Sequence, residues 1–474
     1  MTTPMIDAHS PAIDFPLEIL QEIFLHYRDL VHGLSQGKPH GRQNVRPLKY
    51  SSGYDWIAVS HVCRRWRAGV VHCPPLWTHL AVTRSAEWMS EVLARSGNML
   101  LHVTAELGTT LGGNKTQAFR TILAQLHRIG SLHISGAVGD EILPLLANSA
   151  PRLKRLVLDH VALPTPADLK NCDDAYTYFP YFLQRDLTPR LEHLELDAFQ
   201  PQFQGPCADS LKRLVFCHRV ADMFMGMRYT GPCLRGLLDA LQNMPSLESV
   251  AFDKEAHVTL NPAAEAELQA SLPDVVLPHL RSMYVHATAE ESVALLDHLS
   301  LPALANITLS CARNSTEYPE TLPVALVHTL ETLPETRALH LARFTGTGFH
   351  RYMCFTGYAA LASGSAPVPT FDIMVDRGYG REEIVPSVCQ ALPLQAVREL
   401  TIDSQEDMSE SAWLALLGAL PNLASIAVAG SFAPYKLRDV RMRLEGIKGM
   451  QVLTEDSPTC RSIPSLRTVE LRTA

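Results

Sequence analysis

A short motif, Pro-x-Leu-x-x-apolar-x-apolar, recurs along most of this chain of 474 residues and constrains its fold more than any other feature. The stretch "PRLKRLVL" is a typical copy. Full copies begin at Pro151, Pro189, Pro245, Pro278, Pro302, Pro421 and Pro464, and degraded copies begin at Asp209, Pro334 and Ala396. A recurring motif of this kind indicates one supersecondary unit stacked many times.

Each copy combines a strand with a helix. The last motif positions place apolar side chains two apart, as in Leu156 and Leu158, which predicts a strand with one buried face. Runs with helical periodicity, such as "LRGLLDALQNMP", precede many of the prolines. Proline disfavours α geometry in the residue before it and so ends each helix. Because a single unit cannot bury its apolar face, the units must stack, with a parallel sheet on one side and helices on the other.

The stacked units resemble a leucine-rich-repeat solenoid in a degenerate form. The asparagine usual after the strand is missing, and the length of the unit varies. The resemblance covers roughly residues 76–474 and predicts an α/β fold, with an irregular leucine-rich-repeat-like solenoid over residues 78–474. "LWTHLAVT" and "MLLHVTAEL" have the pattern of its first strands, so we expect the solenoid to follow the N-terminal helices directly.

Two short helices precede the repeats and carry more apolar surface than a helical pair can bury by itself. In the first, large apolar residues recur every three or four positions, and Asp14 is the expected cap. The second is expected from about Trp56 to Val71, capped by Asp55. Residues 28–54 between them are polar and rich in Gly, Pro and Ser, which predicts a mobile loop.

The segments "FPLEILQEIF", "VSHVCRRWR" and "PPLW" together resemble an F-box, in the version common in fungal F-box proteins. The resemblance covers about residues 12–77 and implies docking on the Skp-family adaptor of a Skp–cullin–F-box ubiquitin ligase. The solenoid would then hold a client protein. The implied adaptor contacts are Pro16, Leu17, Ile19, Leu20, Ile23, Val62, Cys63 and Trp66, together with Leu76 and Trp77.

Two other interpretations of the helical pair stay open. For Leu20 and Trp66, burial inside the chain's own core is at least as good an interpretation as contact with a partner. The weaker alternative for the pair as a whole is that it caps a repeat scaffold that has no connection to ubiquitin, since terminal repeats need caps. Anchors at helical spacing that include aromatic side chains favour partner docking for the set.

Composition excludes several classes of protein. The formal net charge of −8 disfavours a nucleic-acid binder. No polybasic membrane patch and no apolar signal segment are visible, and the ten scattered cysteines contain no C-x-x-C pair, so we expect an intracellular chain, cytoplasmic or nuclear, with free thiols. Residues 411–434 carry no charge, but Pro421 interrupts them, which predicts helix, turn and strand rather than a membrane span.

No pattern makes a case for catalysis, a cofactor or a metal. The glycine-rich stretch Gly108–Thr116 lacks the adjacent Gly-Lys-Ser/Thr of a phosphate loop and is expected to join a strand to a helix. His61, Cys63, His72 and Cys73 contain metal-ligand atoms, but on a continuous helix they would point in different directions. We therefore expect a non-enzymatic protein; a hidden hydrolase or transferase is a weaker alternative.

Two groups of residues are candidates for client binding. Four acidic residues follow strand cores, and an acidic row would favour a basic peptide, although such residues also serve simply to end strands: Asp159, Asp197, Asp253 and Asp403. Aromatic inserts at 176–182 and 351–358 supply Tyr178, Phe179, Arg351 and Tyr352, for which packing onto the solenoid is the stronger interpretation.

Overall fold

A computed structural model describes residues 15–36, 53–108, 113–138, 142–146, 148–162, 187–197, 209–217, 234–253, 272–312, 327, 329–330, 333–345, 351–359, 369–376, 384–403, 410–428, 451–454 and 468–473. The chain divides into two compact units. The first comprises Met1–Phe199 with Gly205–Ser210, and the second comprises Gln200–Gln204 with Leu211–Ala474.

The first unit joins the N-terminal helices to a parallel sheet. Its α-helices are α1 (Leu17–Gln36), α2 (Arg64–Val71), α3 (Ala86–Arg95), α4 (Asn114–Leu123) and α5 (Leu143–Leu146), with 3-10 turns at Asp55–His61, Pro74–Trp77 and Leu126–Arg128. Its strands are β1 (His79–Ala81), β2 (Leu101–Glu106), β3 (Ile129–Ala137), β4 (Arg155–Ala162) and β5 (His193–Asp197). They pair in chain order, every pair parallel.

The second unit holds a larger, mostly parallel sheet. Its helices are α6 (Leu234–Gln242), α7 (Ala289–Leu296), α8 (Ile384–Ala391) and α9 (Glu410–Gly418). Its sheet has the order β6 (Arg213–Cys217), β7 (Ser249–Asp253), β9 (Ser282–Thr288), β11 (Asn306–Ala312), β14 (Phe371–Asp376), β13 (Arg351–Tyr358), β12 (Ala338–Thr345), β15 (Glu399–Asp403), β16 (Ser425–Val428), β18 (Thr468–Thr473) and β17 (Gln451–Thr454). Strands β8 (Val275–Val276) and β10 (Leu299–Ser300) form a separate parallel pair.

The Pro-x-Leu motif forms a tight turn shortly before the strand that follows it. The carbonyl of the residue before the proline accepts a hydrogen bond from the leucine N–H, for example from Leu247 to Met244 at 3.3 Å and from Leu423 to Leu420 at 3.2 Å. Proline occupies the second position of the turn, where its fixed φ is favourable. The leucine itself enters the core, since Leu247 is fully buried.

Alternation along the strands separates a core face from an outer face. Leu156 and Leu158 are fully buried on the core face, while Arg155 and Asp159 keep solvent contact. The predicted fold class is thereby confirmed: the chain is α/β, with N-terminal helices followed by large, mostly parallel sheets and intervening helices. The uncharged segment 411–434 contains α9, a turn at Pro421 and β16, as the sequence predicts.

One part of the second sheet breaks the parallel pattern. Strand β13 pairs antiparallel with both β12 and β14, and its residues Met353 and Phe355 are fully buried. Gly357 lies opposite Phe371, and a Cβ at this glycine would stand 2.3 Å from the phenylalanine ring. The stretch 351–358, predicted as an aromatic insert, is therefore a strand inside the sheet.

Two boundaries in the N-terminal module differ from the prediction. Helix α1 continues to Gln36, so residues 28–36 are helical rather than part of the predicted mobile loop. The predicted helix from Trp56 to Val71 is interrupted: a 3-10 turn ends at His61, and α2 begins at Arg64. The physical reason is Cys63, whose extended backbone starts a new helix and whose Sγ accepts a hydrogen bond from the Trp66 N–H at 3.5 Å. Cys63, not Asp55, caps α2.

Candidate partner-docking surface

Helices α1 and α2 cross at a glycine. A Cβ on Gly69 would lie 2.9 Å from Leu17 Cδ1, so the two backbones approach more closely here than a larger residue allows. Gln21 Nε2 donates to the Gly69 carbonyl at 3.3 Å, and the Phe24 and Trp66 rings pack 5.1 Å apart. This crossing fixes which side of α1 is buried and which side faces outward.

A buried arginine holds the far end of α1 against the start of the sheet. The Arg28 guanidinium donates to the Pro75 carbonyl and, at 3.4 Å, to Thr78 Oγ1, and it forms an ion pair with Asp29 at 2.6 Å. Only 6% of Arg28 is exposed. The sequence predicts a mobile loop at this residue, so the role of Arg28 as the anchor of α1 is visible only in the structure.

Aromatic side chains pack between the N-terminal helices and the first strands and helix of the sheet region. Trp77 packs against Trp56 at 5.2 Å and Trp88 at 6.1 Å, donates from Nε1 to the Val70 carbonyl at 2.9 Å, and carries the Arg95 guanidinium 4.4 Å above its ring. Tyr54 adds an edge contact to Trp88 at 5.7 Å, and burial raises the pKa of its phenol. The helices and the first strands therefore share one continuous core.

Three residues predicted to contact a partner lie in this core. Leu20 is 1% exposed, Leu76 is 0% and Trp77 is 1%. For Leu20 this agrees with the interpretation of burial in the chain's own core, and adaptor contact through the three side chains stays a prediction. They support the outer surface from beneath.

The outer side of α1 is an apolar surface open to solvent. We define the apolar stripe by its four members on this side of the helix, which are Ile19, Ile23, Tyr27 and Leu30. Phe15, Leu17 and Val62 are also exposed, although Leu17 lies beside Gly69 at the crossing with α2. Together these seven side chains make up most of the nine large hydrophobic side chains that are exposed in the described part of the chain. Ile19, Ile23, Tyr27 and Leu30 recur at helical spacing, and from Ile19 to Leu30 the helix rises about 16 Å. The stripe is therefore long enough to engage another protein along several turns.

The sequence identified part of this exposed apolar surface. Of the predicted contact residues, Pro16, Leu17, Ile19, Ile23 and Val62 are exposed, while Cys63 and Trp66 are half-buried. Phe15, Tyr27 and Leu30 were not predicted as contacts. Their signal was present, because the apolar period that includes Tyr27 continues to Leu30 once α1 is recognised as longer.

The candidate metal ligands do not converge. Cys73 is buried, and burial raises the pKa of its thiol, whereas His72 is exposed and Nδ1 lies 2.9 Å from the Ala68 carbonyl. Across the described residues, no group of three or more His, Cys, Asp or Glu side chains is placed to hold a metal ion. Five of the described cysteines are free thiols, which are Cys63, Cys73, Cys311, Cys354 and Cys389. Gly108 and Gly113 flank the connection from β2 to α4.

The predicted client-binding acids fall in two pairs, one in each unit, and the strand register keeps the members of each pair in one row. Asp159 lies in β4, half-exposed and 3.9 Å from His133 Nε2, and Asp197 ends the neighbouring β5. Asp253 ends β7 and Asp403 ends β15, with five strands between them, which corresponds to about 29 Å at the usual strand spacing. Arg351 and Tyr352 begin β13, and Tyr178 and Phe179 lie outside the described residues.

None of the described helices is both long and apolar enough to cross a membrane.

Comparisons with known proteins add little to this geometry. No protein-family model matches the sequence, and no curated protein matches it. Twenty chains of solved structures match. One of them, from the crystal structure of the Rad7 and Elc1 complex in yeast, is 12% identical, with 95% of this chain and 92% of that chain covered and a TM-score of 0.30. Similarity at this level carries no conclusion about function.

Proposed function

We propose that this chain is an F-box substrate-recognition adaptor, which docks a Skp-family adaptor of a cullin ubiquitin ligase through the apolar stripe. The observation that carries the proposal is the concentration of exposed apolar side chains on α1 and at Val62. Exposed apolar patches of this kind mark interaction sites in folded proteins. Side chains at helical spacing suit insertion into an apolar groove of a partner.

The alternative, a repeat scaffold unconnected to ubiquitin, accounts for only half of the module. Capping the first repeat requires the buried side of the helices, where Arg28 and Trp77 lie. It does not require Ile19 and Ile23, which are 47% and 46% exposed. A cap is normally polar on its outer side, because that side faces water. The outer side of α1 is apolar, which favours partner docking.

In this proposal the sheets supply the client-binding part, and the chain acts without a cofactor or a reaction of its own. Holding a client beside the ligase raises the effective concentration of that client at the site of ubiquitin transfer. The role implies residence inside the cell, in the cytoplasm or the nucleus.

A binding measurement with purified proteins tests the proposal. The double variant Ile19→Asp/Ile23→Asp places two charges in the stripe without touching the core. We expect its affinity for a Skp-family adaptor, measured by titration calorimetry, to fall at least 30-fold, since one hot-spot residue contributes about 2 kcal/mol. Met99→Asp is the matched control, because Met99 is 43% exposed but lies outside the stripe, and it should bind as the wild type does.

Two results would contradict the adaptor role. One is equal affinity of the wild type and the double variant for the Skp-family adaptor, which would separate binding from the stripe. The other is no measurable binding by the wild type, which would favour the scaffold alternative. Circular dichroism of each variant establishes that the fold is retained.

A further inference from the structure

A carboxylate in β14 lies near the centre of the outer face of the second sheet. Asp372 of β14 is half-buried, and its chain neighbours Phe371 and Ile373 are fully buried on the core face. The sheet register aligns Asp372 with half-buried residues on five other strands, which are Tyr284, Thr308, Thr356, His340 and Thr401. Asp372 supplies the negative charge of this row.

Two neighbours on β13 hold the carboxylate in place through one of its oxygens. Thr356 Oγ1 donates to Asp372 Oδ1 at 3.0 Å, and the Cys354 thiol donates to the same oxygen at 3.3 Å. Among the described residues, no hydrogen bond reaches Oδ2 and no Lys, Arg or His lies within ion-pair distance of it. The second oxygen of a fixed carboxylate is therefore available to an external donor.

The surroundings do not supply a compensating positive charge. On the outer face, one adjacent row contains Ser282, Asn306, Tyr358 and Glu399. The other contains His286, Met374, the buried Ser310 and Cys354, and Asp403 at the end of β15. None of these described side chains is Lys or Arg. Burial, then Asp372 and Cys354, raise the pKa of the Tyr358 phenol, so the field of the carboxylate reaches this ring. A cation on a partner would therefore meet the Asp372 carboxylate without competition from a lysine or arginine of these rows.

We propose that the outer face of β9, β11 and β12–β15 binds a positively charged segment of a client protein, with an arginine paired to Asp372. Arginine fits better than lysine, because its planar guanidinium can donate to Oδ2 while it stacks on an aromatic ring such as that of Tyr358. The inference rests on the proposed adaptor function, since it names the class of client. Cys354 acts here as a hydrogen-bond donor to the carboxylate.

Fluorescence polarisation with the full chain tests this inference. The probe is a fluorescein-labelled nine-residue peptide of glycine and serine with three arginines, measured in 50 mM salt to keep electrostatic attraction strong. We expect Asp372→Asn to weaken binding at least 10-fold, because the amide keeps the shape and loses the charge. Asp239→Asn is the matched control, since Asp239 is an exposed carboxylate on α6 of the same unit, and its affinity should equal that of the wild type.

A second arm leaves the protein unchanged. Replacing each arginine of the peptide by citrulline removes the charge and keeps the shape, and we expect binding to wild type to fall by the same factor. Any one of three results would overturn the inference. The first is undetectable binding of the arginine peptide to wild type. The others are an unchanged affinity of Asp372→Asn for the arginine peptide and equal binding of the citrulline and arginine peptides to wild type. Because binding of the Skp-family adaptor uses the apolar stripe, its persistence in any of these cases shows that only the client inference has failed.

Discussion

At the scale of single residues, His102 on β2 links the packing of α1 to pH. Its ring stacks on His79 with 4.6 Å between centroids, on the strand that follows the Arg28 anchor. Burial lowers the pKa of His102, the Arg28 guanidinium lowers it further, and Asp29 opposes the shift. At a pH just below the ordinary histidine pKa, His102 is therefore neutral in the folded chain and protonated in the unfolded chain.

The sign of the pH effect follows from linkage. Above the ordinary histidine pKa of about 6.5, both states are neutral at this position, and the full stability is present. As pH falls below that value, the unfolded state binds the proton first, so stability is lost. We expect acidification from pH 7.5 to 5.5 to lower the urea midpoint of wild type more than that of His102→Gln. His127→Gln, at an exposed histidine of the same unit, should lose as much as wild type; equal losses in all three would contradict the assignment.

At the scale of secondary-structure elements, the position of α1 depends on its crossing with α2. Gly69 allows Leu17 to approach, and Arg28 fixes the next part of the helix. The outward direction of the apolar stripe is thus set by contacts on the opposite side of α1. Changes at the crossing should act on the stripe without altering any of its residues.

Bulk at the crossing tests this dependence. We expect Gly69→Leu to destabilise the first unit by about 1–3 kcal/mol, the usual cost of overpacking, and to weaken adaptor binding as α1 is displaced. Urea unfolding followed by tryptophan fluorescence measures the first effect, and calorimetry measures the second. Ala68→Leu adds similar bulk on the exposed side of α2 and should change neither. A Gly69→Leu variant with unaltered stability and binding would show that the crossing does not set the stripe.

Sequence reasoning succeeded where one local rule controls an element and failed where a distant contact controls it. The turn before Leu247 depends on the adjacent proline, so the motif correctly predicted the turn and the strand at its full copies within the described residues. The length of α1 depends on Arg28, whose partners Pro75 and Thr78 are distant in the chain. The polar composition of residues 28–54 as a whole therefore suggested a loop. The antiparallel position of β13 and the surroundings of Asp372 likewise depend on strand pairing that no short segment encodes.

At the scale of the whole molecule, the two compact units carry different spectroscopic reporters. Trp56, Trp66, Trp77 and Trp88 belong to the first unit, and Trp413 belongs to the second. Tryptophan fluorescence therefore reports mainly on the first unit, whereas far-UV circular dichroism reports on the strands and helices of both. The pair of signals distinguishes unfolding of one unit from unfolding of the whole.

A substitution in the second sheet tests whether the units unfold separately. Gly357→Val would drive a side chain into the buried Phe371 ring. We expect a loss of about 1–3 kcal/mol or more in the second unit. The circular-dichroism transition should then begin at lower urea, while the fluorescence midpoint stays near that of wild type. Gly418→Ala, where an added Cβ meets nothing within 4 Å, is the control. Equal shifts of both signals would show a single cooperative transition.

The apolar stripe also has a consequence for the abundance of this protein in the cell. Hydrophobic side chains displayed along a helix are the chemistry by which chaperones and degradation systems recognise unfinished proteins. Molecules made in excess of their binding partner would be degraded or would aggregate. Under the proposed role, the abundance of this chain would follow the supply of its partner, and overproduction alone would not raise it.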